Sequence, residues 1–208
     1  SCDFLLAFKS GPWSAWHSHE DNNGFILGTE KRWPVADYGY APYVPDRPMT
    51  RADNHNVILV DDEPHSQKSE SGSIVAFLTD ESYGYVVGDA SACYDSLSKW
   101  LRKLVLVNQA SPFFVVKDEI ESADTTRHHI DWLLHTWGEV GHNEEDSIWI
   151  RDGDECVEVR LLLPENTVIQ DTSFEVDRSG GDPPPECPGD GWPLDGGEKG
   201  IWHHIEVS

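Results

Sequence analysis

Two histidines one residue apart open the stretch AWHSHEDNNGF, residues 15 to 25, and two acids, two asparagines and an aromatic follow them. If residues 17 to 19 are extended, His17 and His19 face the same side, because side chains alternate along a strand with a period of two. Downstream, WPVADYGY places Asp37 in a mostly apolar setting, and RADNHNVILVDD places His55 at the mouth of an apolar run, with Arg51 four residues before it. Imidazole and carboxylate are good zinc ligands, and three protein ligands with one open position is the usual catalytic arrangement. A buried carboxylate or imidazole is costly unless paired, so one shared cation would satisfy all three positions. A turn cap for Asp37 and local hydrogen bonds for the histidines are the plainer alternative, and spacing does not choose between them.

The elements that must carry these residues are strands. Short runs rich in Val, Ile, Phe, Tyr and Trp recur between Gly, Pro, Asn and Asp: FLLAF, GFILGT, NVILVDD, GSIVAFLT, YGYVVGD, KLVLV, FFVVKDEI, IDWLLHTW, SIWIRD, CVEVRLLLP and WHHIEV. Such spacing predicts an all-β fold, a large antiparallel β-sandwich of two sheets. DSLSKWLRKLVLV is expected to begin with at most a turn of helix, capped by Asp95 or Ser96, and to be strand by Leu104 to Val107. From Ser179 to Gly200 the Pro/Gly-rich SGGDPPPECPGDGWPLDGGEKG suits neither period and reads as an irregular excursion before a closing strand. Residues 1–208 are expected to form a single domain.

Thirty-eight acids against fifteen bases give a formal charge of -23. A surface of that sign repels phosphate backbones and anionic lipid headgroups, so nucleic acid and membrane are excluded as partners. No run approaches the roughly 18 to 20 apolar residues that cross a bilayer, and the first residues lack the basic flank of a secretory leader. Cys2, Cys93, Cys156 and Cys187 are too far apart for a zinc knuckle; disulfides and buried thiols both remain open.

One metal-binding sandwich class can be compared at once. Cupins carry a Gly, five residues, His-x-His and then a Glu; Gly11, His17 and His19 fit that opening, but Asn23 and Gly24 stand where the Glu belongs. A different family fits more of the chain. HSHEDNNGF, VADYGY, RADNHNVILVDD, YGYVVGDASACY, LRKLVLVNQASPFFVVKDEI and WLLHT resemble, in that order, the β-sheet domain of the heparinase II/III-like polysaccharide lyases, over roughly residues 4 to 136.

That resemblance implies a C-terminal β-sandwich normally joined to an N-terminal helical toroid. It further implies one zinc ion held by His19, Asp37 and His55, and a first histidine, His17, beside the substrate. Such enzymes cleave acidic polysaccharides by β-elimination at a uronate, with alginate and glycosaminoglycans as the substrate class. The chemistry needs a proton acceptor and donor within reach and donors aimed at the developing charge. His17 can serve either need, since imidazole titrates near neutral pH. Arg51 offers a planar fork for a substrate carboxylate, with an ordinary surface ion pair as its other use. The zinc is expected to act mainly as a structural tie.

The toroid is absent from these residues, so the chain is expected to be the C-terminal part of a lyase, inactive alone, and secreted or periplasmic. Tyr38, Tyr40 and Tyr43 lie near the expected metal, but the family pattern gives them no task. A non-catalytic carbohydrate-binding or structural sandwich, and a cupin-like metal enzyme, are the alternatives. Trp13, Trp16 and Trp33 flank the motif and are the best sugar-stacking candidates, whereas Trp132 and Trp149 fall in apolar runs and read as core. His128 and His129 are adjacent, so on a strand they face opposite ways. NEEDSIWIRDGDE lacks the ordered spacing of a calcium loop and reads as a hairpin.

Overall fold

The structure, a computed structural model, describes residues 4–13, 18–37, 50–66, 71–144, 147–162, 169–177 and 199–207. Thirteen strands run through them: β1 (Leu5–Lys9), β2 (Gly24–Gly28), β3 (Ile58–Val60), β4 (Ser73–Thr79), β5 (Tyr83–Asp89), β6 (Leu97–Val107), β7 (Phe113–Ser122), β8 (Ile130–Thr136), β9 (Glu139–Glu144), β10 (Ser147–Asp152), β11 (Glu155–Arg160), β12 (Ile169–Asp177) and β13 (Lys199–Val207). Two single 3-10 turns, Ala52–Asn54 and Ser91–Cys93, are the helical elements among the described residues. All eleven apolar runs fall on strands. Two four-stranded sheets, β12-β13-β8-β3 and β4-β5-β6-β7, are the large ones, accompanied by a three-stranded sheet β11-β10-β9 and a two-stranded sheet β1-β2. Every pairing is antiparallel; short connections join the consecutive strands β4 to β7 and β9 to β11, whereas β8 pairs with β3 and β13 from distant parts of the chain.

The helical start expected at Asp95 or Ser96 does not form: β6 is extended from Leu97 onward. Trp100, Arg102 and Leu104 are buried while Leu101, Lys103 and Val105 are half-exposed, a period of two. β5 and β7 bond to β6 from both sides, so its backbone groups are satisfied in the sheet and a helix would forfeit them. The Pro/Gly-rich excursion lies outside the described residues, except that Lys199 and Gly200 already belong to β13.

Two clusters fill the interior. The larger draws Phe25 and Leu27 from β2, Leu104 from β6, Leu134 from β8, Ile148 and Ile150 from β10 and Ile205 from β13. The second gathers Val57, Ile58, Val60, Tyr94, Leu97 and Trp100 around the first 3-10 turn and the start of β3. Trp132 packs against both, in agreement with its reading as core. The segment that carries His55 is thus anchored in its own apolar cluster. Gly88 permits a further close approach, since a Cβ there would stand 2.1 Å from Asn23 Oδ1. β5 therefore lies directly against the turn that follows His19.

Candidate metal centre

The polar stretch divides into ties and chemistry. The Glu20 N–H donates to the Thr50 carbonyl at 2.7 Å, and its Oε2 accepts the Ala52 N–H at 3.1 Å. Lys9 pairs with Asp21. Asn22 Oδ1 accepts the Gly11 N–H at 2.8 Å while its Nδ2 donates to Ser71 Oγ at 3.0 Å. Asn23 takes a left-handed φ of 59°, a conformation Asn tolerates better than most residues, and the chain turns there into β2. Residues 20 to 23 are therefore stitches. His19 packs its ring near that of His55, while His17 lies outside the described residues, as do Trp16, Tyr38, Tyr40 and Tyr43.

Asp37 is placed from the other direction. Val35 forms an isolated bridge with Leu27 of β2, and the Ala36 N–H donates to the His135 carbonyl at 3.0 Å. The chain then delivers Asp37 at the rim of the site, its side chain 31% exposed. His55 closes the Ala52–Asn54 turn, its N–H donating to the Ala52 carbonyl at 3.0 Å, and its ring is fully buried. His55 Nδ1 lies 2.7 Å from Asp37 Oδ2, and the His19 and His55 ring centroids are 5.1 Å apart, tilted by 45°.

The His55 ring thus meets Asp37 by a hydrogen bond and His19 by a ring contact, joining residues spread over 36 positions of sequence. Burial works against a charged His55 ring, but the charge and hydrogen bond of Asp37 outweigh it and raise its pKa. His19 moves the other way, lowered by burial and by its neighbour His55.

The fit to a cation is partial. Two imidazoles sharing one tetrahedral zinc, with bonds near 2 Å, have centroids about 5 Å apart, as His19 and His55 do. His55 Nε2 is buried and has no hydrogen-bond partner among the described residues, an unusual condition for a polar atom. Against this, the Asp37 contact is that of a hydrogen bond, whereas two ligand atoms on one tetrahedral ion would stand roughly 3.3 Å apart. Among the described residues no group of three or more His, Cys, Asp or Glu stands at metal-holding spacing. Nδ1 and Nε2 lie on opposite edges of the imidazole, so a cation on Nε2 would have Asp37 orienting the His55 ring from behind, and Asp37 would itself be a ligand only to an ion that took its place on Nδ1.

Arg51 sits one residue before the turn that ends on His55, half-exposed, with its Nε 3.4 Å from Asp53 Oδ1. Trp33 is held by a backbone bond to Asp152 Oδ2 at 3.1 Å and packs its ring against Gly28, which uses it to join β2 to the β10–β11 hairpin. That hairpin turns at Gly153, φ 61°, and accounts for the acid-rich RDGDE. Cys93 and Cys156 are free thiols, and Cys2 and Cys187 lie outside the described residues.

Sequence reasoning passed over the groups behind the site. Asn56 bonds in four directions, and Arg102, fully buried, holds Asp118 through Nε at 2.9 Å and Nη2 at 2.8 Å. Its Nη1 donates to the Asn23 and Asn56 carbonyls at 2.9 and 2.7 Å. The available signal was the phase of β6, in which Arg102 falls between Trp100 and Leu104 on the inward side. His65 was missed as well. Its ring is buried against Tyr94 and Trp100, and burial pushes its pKa down to about 3, which marks it as a neutral core residue.

The model of the heparinase II/III-like C-terminal family matches residues 3–182. The chain belongs to that family. Solved structures agree on the fold. A heparinase III superposes with a TM-score of 0.67 at 14% identity, covering 99% of this chain and 30% of that one. The heparan sulfate lyase HepC from Pedobacter heparinus gives 0.71 at 13% identity with the same coverage. The chain therefore spans under a third of the length of these proteins. No curated protein sequence matches it. In this heparinase II/III-like domain the cupin comparison has nothing left to explain, since its only support was Gly11 and the His-x-His spacing. No described helix is long and apolar enough to cross a membrane.

Proposed function

We propose that this domain is the β-sheet half of a secreted or periplasmic polysaccharide lyase that cleaves a uronate-containing polymer, of the alginate or glycosaminoglycan class, by β-elimination. The observation that supports it is the meeting of His19, Asp37 and His55 within a heparinase II/III-like domain. In the reaction a base removes the C5 proton of the uronate, its electron pair forms the C4–C5 double bond, the C4–O bond breaks, and the departing oxygen takes a proton. Each proton must pass to a group within hydrogen-bond reach.

His19, Asp37 and His55 would hold one zinc ion, whose contribution is to tie three chain segments together and keep the loop before β2 in place. His17, two residues from His19, is the group proposed to face the sugar and handle a proton. Arg51, at the exposed edge of the turn that ends on His55, is proposed to pair with the uronate carboxylate, exchanging Asp53 for the substrate. Two surface hollows, of about 310 and 440 Å³, are lined by neither His19, Asp37 nor His55. The groove for the polymer is accordingly proposed to be completed by an N-terminal helical toroid.

The test is to co-express the chain with the polypeptide encoded immediately upstream and to offer alginate and heparan sulfate, following the ultraviolet absorbance of an unsaturated uronate. Product that disappears in His17→Ala is expected. A zinc-loaded two-part protein that makes no unsaturated product from any uronate polymer would overturn the reading.

A further inference from the structure

We propose that Asn56 is the positioning residue that sets the separation of Asp37 from His55, and through it the affinity of the cation site; this rests on the reading of that site given above. Asn56 is fully buried directly after His55. Its Nδ2 donates to two carbonyls, those of Phe25 and Ala36, both at 2.7 Å. Its Oδ1 accepts the His135 N–H at 2.7 Å, and its own carbonyl accepts Arg102 Nη1 at 2.7 Å.

The Ala36 carbonyl is the one that precedes Asp37. Ala36 is thus gripped twice, by Asn56 on its carbonyl side and by the His135 carbonyl on its N–H side. The 2.7 Å contact of Asp37 with His55 spans segments that Asn56 joins directly. Only a primary amide of this length supplies two donors and one acceptor at a single point. The reversed amide would turn its oxygen toward two carbonyls and its NH₂ toward an N–H, so one orientation alone satisfies every partner. An Asp in its place is isosteric and keeps the acceptor for His135, but it presents a carboxylate to the Phe25 and Ala36 carbonyls. The segment bearing Asp37 then moves off.

The experiment measures zinc affinity by competition with a chromophoric chelator, and records the visible spectrum of the cobalt-substituted chain, for the parent, Asn56→Asp, Tyr94→Phe and His55→Ala. Tyr94→Phe removes another buried bond of this cluster, Oη to the Ile58 carbonyl at 2.8 Å, without touching Ala36 or Asn56. Expected are a zinc Kd for folded Asn56→Asp weaker by about 10- to 100-fold, the range usual for groups that orient metal ligands, with an altered cobalt spectrum. Tyr94→Phe should be less stable with an unchanged Kd and spectrum. Folded Asn56→Asp that binds zinc as the parent does overturns the positioning role and leaves the cation site standing. A parent that binds no zinc, or a His55→Ala variant that binds it equally well, overturns the site and this role with it.

Should Asn56→Asp not fold, hydrogen exchange of the Asn56 side-chain amide in the parent decides. Strong protection is expected, and exchange at the rate of an exposed asparagine overturns the proposal.

Discussion

Two histidine–carboxylate pairs in this molecule are made through the same atoms at almost the same distance, His55 Nδ1 with Asp37 Oδ2 at 2.7 Å and His128 Nδ1 with Asp61 Oδ2 at 2.6 Å, and they differ in what surrounds them. His128 is saturated: its Nδ1 meets Asp61, its Nε2 reaches Asp124 Oδ1 at 3.2 Å, and Asp61 uses its second oxygen to accept the His129 N–H at 2.8 Å. Asp61 and Asp62 both have left-handed φ values, 55° and 59°, in a two-residue turn closed by the Glu63 N–H on the Val60 carbonyl. This cluster pins a turn to the entry of β8. His55 has one nitrogen on Asp37 and the other buried without a partner among the described residues. Pair distance therefore does not distinguish the two pairs, whereas the second nitrogen, taken up in His128 and unmatched in His55, does; His65, with both ring nitrogens buried and unmatched among the described residues, shows that an unmatched nitrogen does not by itself make a ligand.

The support behind the two pairs differs as much. His55 is backed by Asn56, which Arg102 holds, and the Arg102 guanidinium lies under the rings of Phe25, Trp100 and Trp132 at 5.6 to 6.0 Å. Arg102→Met should strip Asp118 of its bidentate partner and leave two buried carbonyls unmet, costing about 3–5 kcal/mol as other broken buried pairs do, read from urea unfolding. Asp61→Asn, on the exposed pair, should shift the same transition far less, and equal shifts would erase the contrast.

Next in size is the effect of the ion. With free zinc at 100 times its Kd, the parent should gain about 2.7 kcal/mol, seen as a rise in Tm that a chelator reverses. His55→Ala should show no such rise, while His128→Ala should keep it. A zinc-induced rise lost in His128→Ala and retained in His55→Ala would reverse the assignment of the two pairs.

Much of this contrast was legible in the residues and some was not. His55 stood out because a histidine before NVILV must find a partner once the strand is buried, and Asp37 because an acid after WPVA is under the same pressure. β9, with the sequence EVGHNE, and β12, with IQDTSFEVD, carry too few apolar residues to register as strands, and their pairing with β10 and β13 makes them so. Asn56 and Arg102 were passed over for a related reason. A buried Asn or Arg is defined by partners distant in sequence, Ala36, His135 and Asp118, and no local period names them. The polar run HEDNNGF looked like one functional unit, yet Glu20, Asp21 and Asn22 are spent on ties to other segments and Asn23 on the turn into β2, its Oδ1 buried without a partner among the described residues. Composition does not distinguish a ligand from a stitch.

The smallest expected effect lies on the exposed pair and depends on pH. Hydrogen bonds to Asp61 and then Asp124 raise the pKa of His128, the bond to His128 lowers that of Asp61, and the Thr126 N–H lowers that of Asp124. A histidine whose folded pKa lies above its unfolded value adds stability in full below about 6.5, and that stability fades as pH rises through the folded value. A carboxylate held below its ordinary pKa adds stability above about 3.9 and loses it as pH falls. The contribution of the cluster is therefore greatest between these limits. Comparing the parent with His128→Asn in urea, with chelator present, cancels the similar but separate contribution of His55. The difference in midpoint should be widest near pH 5 and narrow steadily toward pH 8, because only there does the imidazole lose the charge that both carboxylates hold. A difference that stayed level or grew over that range would mean that His128 serves as a neutral hydrogen-bonding spacer, and the two pairs would then differ in burial alone.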